Sequence, residues 1–93
     1  MRLKKSEIES IKTAVSKRDN ASSVILFGSR VDDSKKGGDI DLLVLSETLT
    51  FRDKLDILTE LHEKIGEQKI DLIIRKNTED PFTRIIQNNG VVL

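Results

Sequence analysis

The sequence predicts an α/β (α+β) domain, a small mixed β-sheet with helices packed on it. Three observations predict it. Apolar runs of strand length alternate with segments of helical periodicity. The connection between the second and third apolar runs is long enough for a crossover helix, which makes that pair of strands parallel. No repeat, linker or break in composition divides residues 1–93, so the expectation is one domain.

Each element has a local cause. Ser6 followed by Glu9 is a capping-box pattern, and Ile8, Ile11 and Val15 recur at helical spacing to about Lys17. Arg18-Asp19-Asn20 breaks that helix. Val24-Ile25-Leu26-Phe27 reads as a buried strand because its apolar residues are continuous rather than alternating. Gly28 ends the strand, Ser29 to Asp33 is expected as a short helical turn, and Ser34-Lys35-Lys36-Gly37-Gly38 has the composition of a loop. The next strand starts at Asp39 or Ile40 and runs to Leu45. It is apolar on both faces, with Ile40, Leu42 and Val44 on one and Leu43 and Leu45 on the other.

From Thr50 onward, Phe51, Leu55, Leu58, Leu61 and Ile65 follow one face of a helix that Gly66 is placed to stop. Lys69 to Arg75 reads as a third strand, with Asp71 and Ile73 pointing one way and Ile70, Leu72 and Ile74 the other. Asp80-Pro81 opens a last helix, Asp as N-cap and Pro at the first helical position, with Phe82, Ile85 and Ile86 as its apolar side before Gly90. Val91 to Leu93 is expected as an edge strand. Three short helices cover two faces of such a sheet unevenly, so a partner or a second copy of the chain is expected over the less protected one.

Composition narrows the function. Sixteen basic residues balance sixteen acidic ones, which argues against a general nucleic-acid binder. The absence of cysteine removes disulfides, zinc thiolate sites and thiol catalysis, and suits a cytoplasmic protein. The apolar runs are too short to cross a bilayer, and Met1-Arg2-Leu3-Lys4-Lys5 leads into no signal-peptide core.

The chemistry concentrates between Val24 and Leu45. Alternate residues of a strand share a side, so Asp39 and Asp41 present two carboxylates together, enough to hold a Mg²⁺ whose shell is completed by waters and substrate phosphates. Gly28 lets the backbone approach a phosphate, and Ser29 adds a hydroxyl and an N–H. Arg30, Lys35 and Lys36 lie where they could steady a leaving pyrophosphate, although basic loop residues are more often simply solvated. Asp71, near the start of the later strand, converges on the pair if the two strands are parallel or neighbours in the right register, as third ligand or as the base that takes a proton from an attacking hydroxyl. The lone His62, on the flank of a helix, reads as packing. There is no Gly-Lys-Ser/Thr P-loop and no EF-hand spacing.

Gly28-Ser29, a loop, Asp39-Ile40-Asp41 and then Asp71 on a later strand resemble the minimal nucleotidyltransferases of the polymerase-β-like superfamily. The resemblance spans nearly the whole chain, to the closing Arg84-Ile85-Ile86-Gln87-Asn88-Asn89-Gly90-Val91-Val92-Leu93. The loop Arg30 to Gly38 is one residue shorter than the family's more common spacing, a difference that Gly37 and Gly38 can absorb. The resemblance implies transfer of a nucleoside monophosphate, AMP from ATP, to a hydroxyl with release of pyrophosphate. It further implies the antitoxin half of a toxin–antitoxin pair whose partner is a helical HEPN-domain toxin. Gly28, Ser29 and Arg30 would bind the nucleotide, and Asp39, Asp41 and Asp71 the metal. Two other readings share the scaffold: a module that silences its partner by occlusion without catalysis, and a regulatory subunit that binds ATP and leaves it intact.

Overall fold

The alternation of elements fixes the layers before any side chain is placed. The computed structural model describes all of residues 1–93. In chain order it comprises α1 (Lys5–Ser16), β1 (Ser23–Phe27), a 3-10 turn (Gly28–Val31), β2 (Ile40–Leu45), α2 (Phe51–Ile65), β3 (Ile70–Arg75), α3 (Pro81–Asn89) and β4 (Val91–Val92). The four strands form one mixed sheet in the order β3-β2-β1-β4. β2 and β3 run parallel with α2 as their crossover, while β1 is antiparallel to both β2 and β4. This is the α/β architecture that the sequence predicts.

The sheet is covered unequally. On one face Ile11, Ala14 and Val15 of α1 and Ile57 and Leu61 of α2 pack on Val24, Leu26, Ile40, Leu42, Val44, Ile70 and Leu72. On the other face only α3 is present, and its Ile86 closes over Ile25 and Leu43 while Phe27, Leu45 and Ile73 stay partly buried. Gly90 allows this contact to be tight: a Cβ there would lie 2.5 Å from Ile25 Cγ2 and 2.8 Å from the carbonyl oxygens of Leu26 and Ile86. No helix is long and apolar enough to cross a membrane.

All three helices differ from their expected form. In α3 the buried side is Thr83 and Ile86, while Phe82 and Ile85, expected on its apolar side, are exposed because that short helix meets the sheet only through the Ile86 side. α1 starts one residue before Ser6, and its capping acid is Glu7, which accepts the Lys4 N–H at 2.8 Å, rather than Glu9. Glu7 wins because it is buried against a tertiary partner, Gln68, that Glu9 lacks. α2 keeps its Thr50 cap and its Gly66 stop, but its buried stripe is turned toward Ile57 and Leu61, leaving Phe51 and Leu55 in the open. The cause is that α2 packs against α1 as well as against β3, so Ile57 and Leu61, in one cluster with residues of both, are the ones buried.

Candidate active site

The parallel register gathers the acidic residues. Ile40 faces Ile70, so Asp41 faces Asp71, and the positions just before them set Asp39 beside Lys69. Residues two apart on a strand point to the same side, so these four side chains share the face that carries α3. From the other flank, Phe27 of β1 pairs with Asp41, and the chain leaves β1 through Gly28 directly against that carboxylate. Gly28 has φ +76°, and a Cβ on it would lie 2.2 Å from Asp41 Oδ2. Glycine is therefore required twice, for the left-handed backbone and for the room that the carboxylate occupies.

Electrostatics follow from that crowding. Asp41 is half-buried, and burial first, then the charge of Asp71 and a hydrogen bond between the two carboxyls, then the charge of Asp39, push its pKa up, with Lys69 pulling the other way. Asp71 is exposed at its edge of the sheet. Asp39 forms an ion pair with Lys69, 3.5 Å from its Nζ. No three acidic or histidine side chains close into a ready-made cation cage. What the fold offers is the contacting pair Asp41 and Asp71, with Asp39 engaged by Lys69 at its flank. That donor set fits a small divalent cation. The ligands are hard oxygens, the charges of Asp71 and Asp39 raise the proton affinity of Asp41 in a way a cation would relieve, and Mg²⁺ needs only one or two carboxylates when phosphates supply the rest.

The loop from Gly28 to Gly38 is held by arginines rather than left loose. Arg2 donates to the carbonyl oxygens of Asp32 (2.9 Å), Gly37 (2.8 Å) and Ser29 (2.8 Å). Arg30 donates to the carbonyls of Gly38 (3.1 Å) and Arg2 (3.0 Å) and to Gln68 Oε1 (3.2 Å). The guanidinium that the sequence assigns to phosphate is thus committed to the loop and its supports. Gln68 in turn donates to Glu7 at 2.6 Å. Burial alone would raise the Glu7 carboxyl, but the bonds from Gln68 and the Lys4 N–H outweigh it and hold it below its ordinary range.

Glycine shapes the far end of the loop as well. Gly37 and Gly38 have φ of +65° and +90°, and a Cβ on Gly38 would lie 2.3 Å from Ser29 Oγ, so the loop folds back onto that serine. Lys35 and Lys36 are solvent-exposed, and His62 lies on α2, outside this cluster. Sequence reasoning missed Arg2, Glu7, Gln68 and Lys69. Glu7 and Gln68 are 61 positions apart, and nothing in the local pattern of either announces the contact. Lys69 was legible, because placing Asp71 opposite Asp41 places Lys69 beside Asp39.

A family model described as polymerase beta, nucleotidyltransferase, matches residues 9–93, a span that includes Gly28, Ser29, Asp39, Asp41 and Asp71. No curated protein matches the chain.

Proposed function

We propose, for a chain that belongs to the polymerase β nucleotidyltransferase family, that it transfers a nucleoside monophosphate, AMP from ATP, to a hydroxyl on a partner protein. The observation that carries this reading is the facing pair Asp41 and Asp71, with Gly28 pressed against Asp41. Asp39, Asp41 and Asp71 would hold Mg²⁺, which when bound neutralises phosphate oxygens and orients the α-phosphate for attack. The N–H groups of the Gly28–Val31 turn and the Ser29 hydroxyl bind phosphate oxygens, and the Arg2 and Arg30 clasps keep the turn in place while they do so. Asp71, the more exposed acid of the pair, accepts the proton of the attacking hydroxyl as the new P–O bond forms and pyrophosphate departs. Nothing on this one small domain encloses a base or an acceptor, so the acceptor chain completes the site. By the family resemblance that chain is a helical HEPN-type toxin in the same cytoplasm, and the protein is its antitoxin.

The test is direct. The protein is incubated with labelled nucleoside triphosphates, Mg²⁺ and lysate from its own cell, and mass spectrometry identifies any polypeptide that gains a nucleotide. Asp41→Asn and Asp71→Asn should each abolish the label with the circular dichroism spectrum unchanged. Persistent labelling by both would refute the assignment. A second reading, silencing by occlusion without catalysis, is favoured by one observation: Asp39 is engaged by Lys69 and no three-ligand cage is formed. Under that reading the same two variants bind and silence the partner as the natural chain does.

A further inference from the structure

The apolar stripe of α2 is divided in the structure. Ile57 and Leu61 are fully buried, whereas Phe51 and Leu55 are 68% and 46% exposed. Both residues stand over β3, an outer strand of the sheet. Two grooves follow that strand beneath α2, one between Phe51, Lys54 and the stretch Leu72 to Lys76, the other between Leu55, Leu58 and Ile70. Both have a helical wall on which Phe51, Leu55 and Leu58 stand among the polar Lys54, Thr59, His62 and Glu63, with residues of β3 opposite.

The edge backbone is open to pairing. Ile40 N–H bonds Lys69 O and Ser46 N–H bonds Arg75 O, so Asp71, Ile73 and Arg75 turn their backbone groups toward β2 while Ile70, Leu72 and Ile74 turn theirs outward. The Ile74 carbonyl is covered by the chain's own Arg75 guanidinium at 3.0 Å. An outward row of this kind is a template for another strand.

The geometry points to a second copy of the chain as the occupant: β3 pairs antiparallel with its own copy across a two-fold axis at Ile73, joining the two sheets. Charge selects that register. Centred on Ile73, it sets Asp71 opposite the partner's Arg75 and Arg75 opposite the partner's Asp71, an oppositely charged cross-strand pair formed twice by symmetry. Leu72 then faces the partner's Ile74, two residues whose N–H and C=O groups both point outward and can form ladder bonds, and Arg75 exchanges its own Ile74 carbonyl for the partner's Asp71. Moved to Leu72, the axis would place Asp71 opposite an isoleucine and lose both ion pairs. The placement of α2 gives independent support. Phe51 lies over the Leu72–Lys76 end of the strand and Leu55 over the Ile70 end, so the axis, which sets opposite ends of the two strands side by side, brings Phe51 toward the Leu55 of the second copy and Leu55 toward its Phe51. The dimer also sets the partner's Arg75 beside Asp71, adding a cation to the acid pair. Any role for that arginine in transfer rests on the function proposed above, whereas the dimer does not.

The chain has no cysteine, which makes a single introduced thiol decisive. Ile73→Cys lies on the axis, where facing Cα atoms of a non-hydrogen-bonded pair are about 4.5 Å apart, within disulfide range, so mild oxidation should give a covalent dimer. Val92→Cys, 67% exposed on the opposite edge, should not cross-link. In sedimentation equilibrium the natural chain should be dimeric. Arg75→Asp should raise the dimer Kd about tenfold or more by replacing two attractive pairs with two repulsive ones. The exchange Asp71→Arg with Arg75→Asp should restore association, and Phe51→Glu should abolish it with the circular dichroism spectrum unchanged. A natural chain that is monomeric at its highest soluble concentration overturns the proposal, as do cross-linking at Val92 in place of Ile73 and an exchange variant as weak as Arg75→Asp. Capture of a different protein on this edge by a monomeric chain overturns it too. None of these readouts requires transferase activity, so an inactive dimer would refute the proposed function and leave this inference standing.

Discussion

Replacing Gly28 by alanine tests the link between a backbone turn and the acid pair. Two costs add. At φ +76° an L-residue is in left-handed backbone, which costs about 1–2 kcal/mol, offset by roughly 0.5 kcal/mol of lost unfolded-state entropy. The new Cβ would also stand 2.2 Å from Asp41 Oδ2 and 3.1 Å from its Cγ, and forcing a half-buried carboxylate off its rotamer costs about 1–3 kcal/mol. The total is about 2–4 kcal/mol. In an Asp41→Ala background the offending atoms are gone, and only the Asp41 Cβ, at 3.4 Å, remains in ordinary contact. There the same substitution should cost about 1 kcal/mol, leaving a coupling of about 1–3 kcal/mol between the two positions. Urea denaturation of the four chains of the cycle, followed by circular dichroism in EDTA, measures it. If Gly28→Ala costs the same in both backgrounds, to within about 0.5 kcal/mol, then glycine serves the turn alone and the argument that it makes room for the carboxylate is wrong.

Three further outcomes follow from the same geometry. Asp41→Asn removes a carboxyl that burial and the charges of Asp71 and Asp39 disfavour; without divalent ions it should raise stability by about 0.5–1 kcal/mol, and thermal melts with and without Mg²⁺ should show a response in the natural chain only. Glu60 is bonded by Lys17, and with Lys64 and Arg18 as well its pKa is lowered from 4.5 to about 2. Since the folded value lies below the unfolded one, this stability is complete above about pH 4.5 and disappears as pH falls toward about 2. With partly exposed partners it amounts to about 1–2 kcal/mol, and denaturation of Glu60→Gln across that range should lack this part of the acid limb. Gln68→Ala removes the link between Glu7 and Arg30; hydrogen exchange of the Gly28–Gly38 amides should rise several-fold, and unchanged exchange would show that Arg2 alone suffices as clasp.

The legible parts of the chain are those whose signals are local. Continuous apolar runs marked β1 and β2, the Thr50 cap and Gly66 bounded α2, and Asp80-Pro81 opened α3, because caps and strand periodicity depend on residues within a few positions of one another. The facing of Asp41 and Asp71 was legible because strand alternation and a parallel register act as a ruler: once β2 and β3 are adjacent, the two must meet if their offsets agree. Contacts set by packing were not legible. The burial of α2 through Ile57 instead of Phe51 depends on how α1 competes with the sheet for that helix, and the Glu7–Gln68–Arg30 chain depends on three segments arriving at one place. Periodicity finds an apolar stripe, but it cannot say which half of the stripe another element will claim.

That distinction bears on how a chain this small supports a site of mutually repelling acids. Asp41 sits between Ile40 and Leu42, both fully buried, so the strand that carries the unfavourable carboxyl is also the one most firmly anchored in the core. Its neighbour Gly28 opens a loop whose carbonyls, Ser29 and Gly38 among them, are held by Arg2 and Arg30 rather than by the core. The strain is therefore divided between an anchored strand, which cannot move to relieve it, and a clasped loop, which is restrained only by exposed or half-buried polar contacts. A cation or a nucleotide that binds between them would relieve repulsion on the first and add partners to the second. Binding should then stabilise the protein by more than loop ordering alone provides, and the excess should vanish in Asp41→Asn.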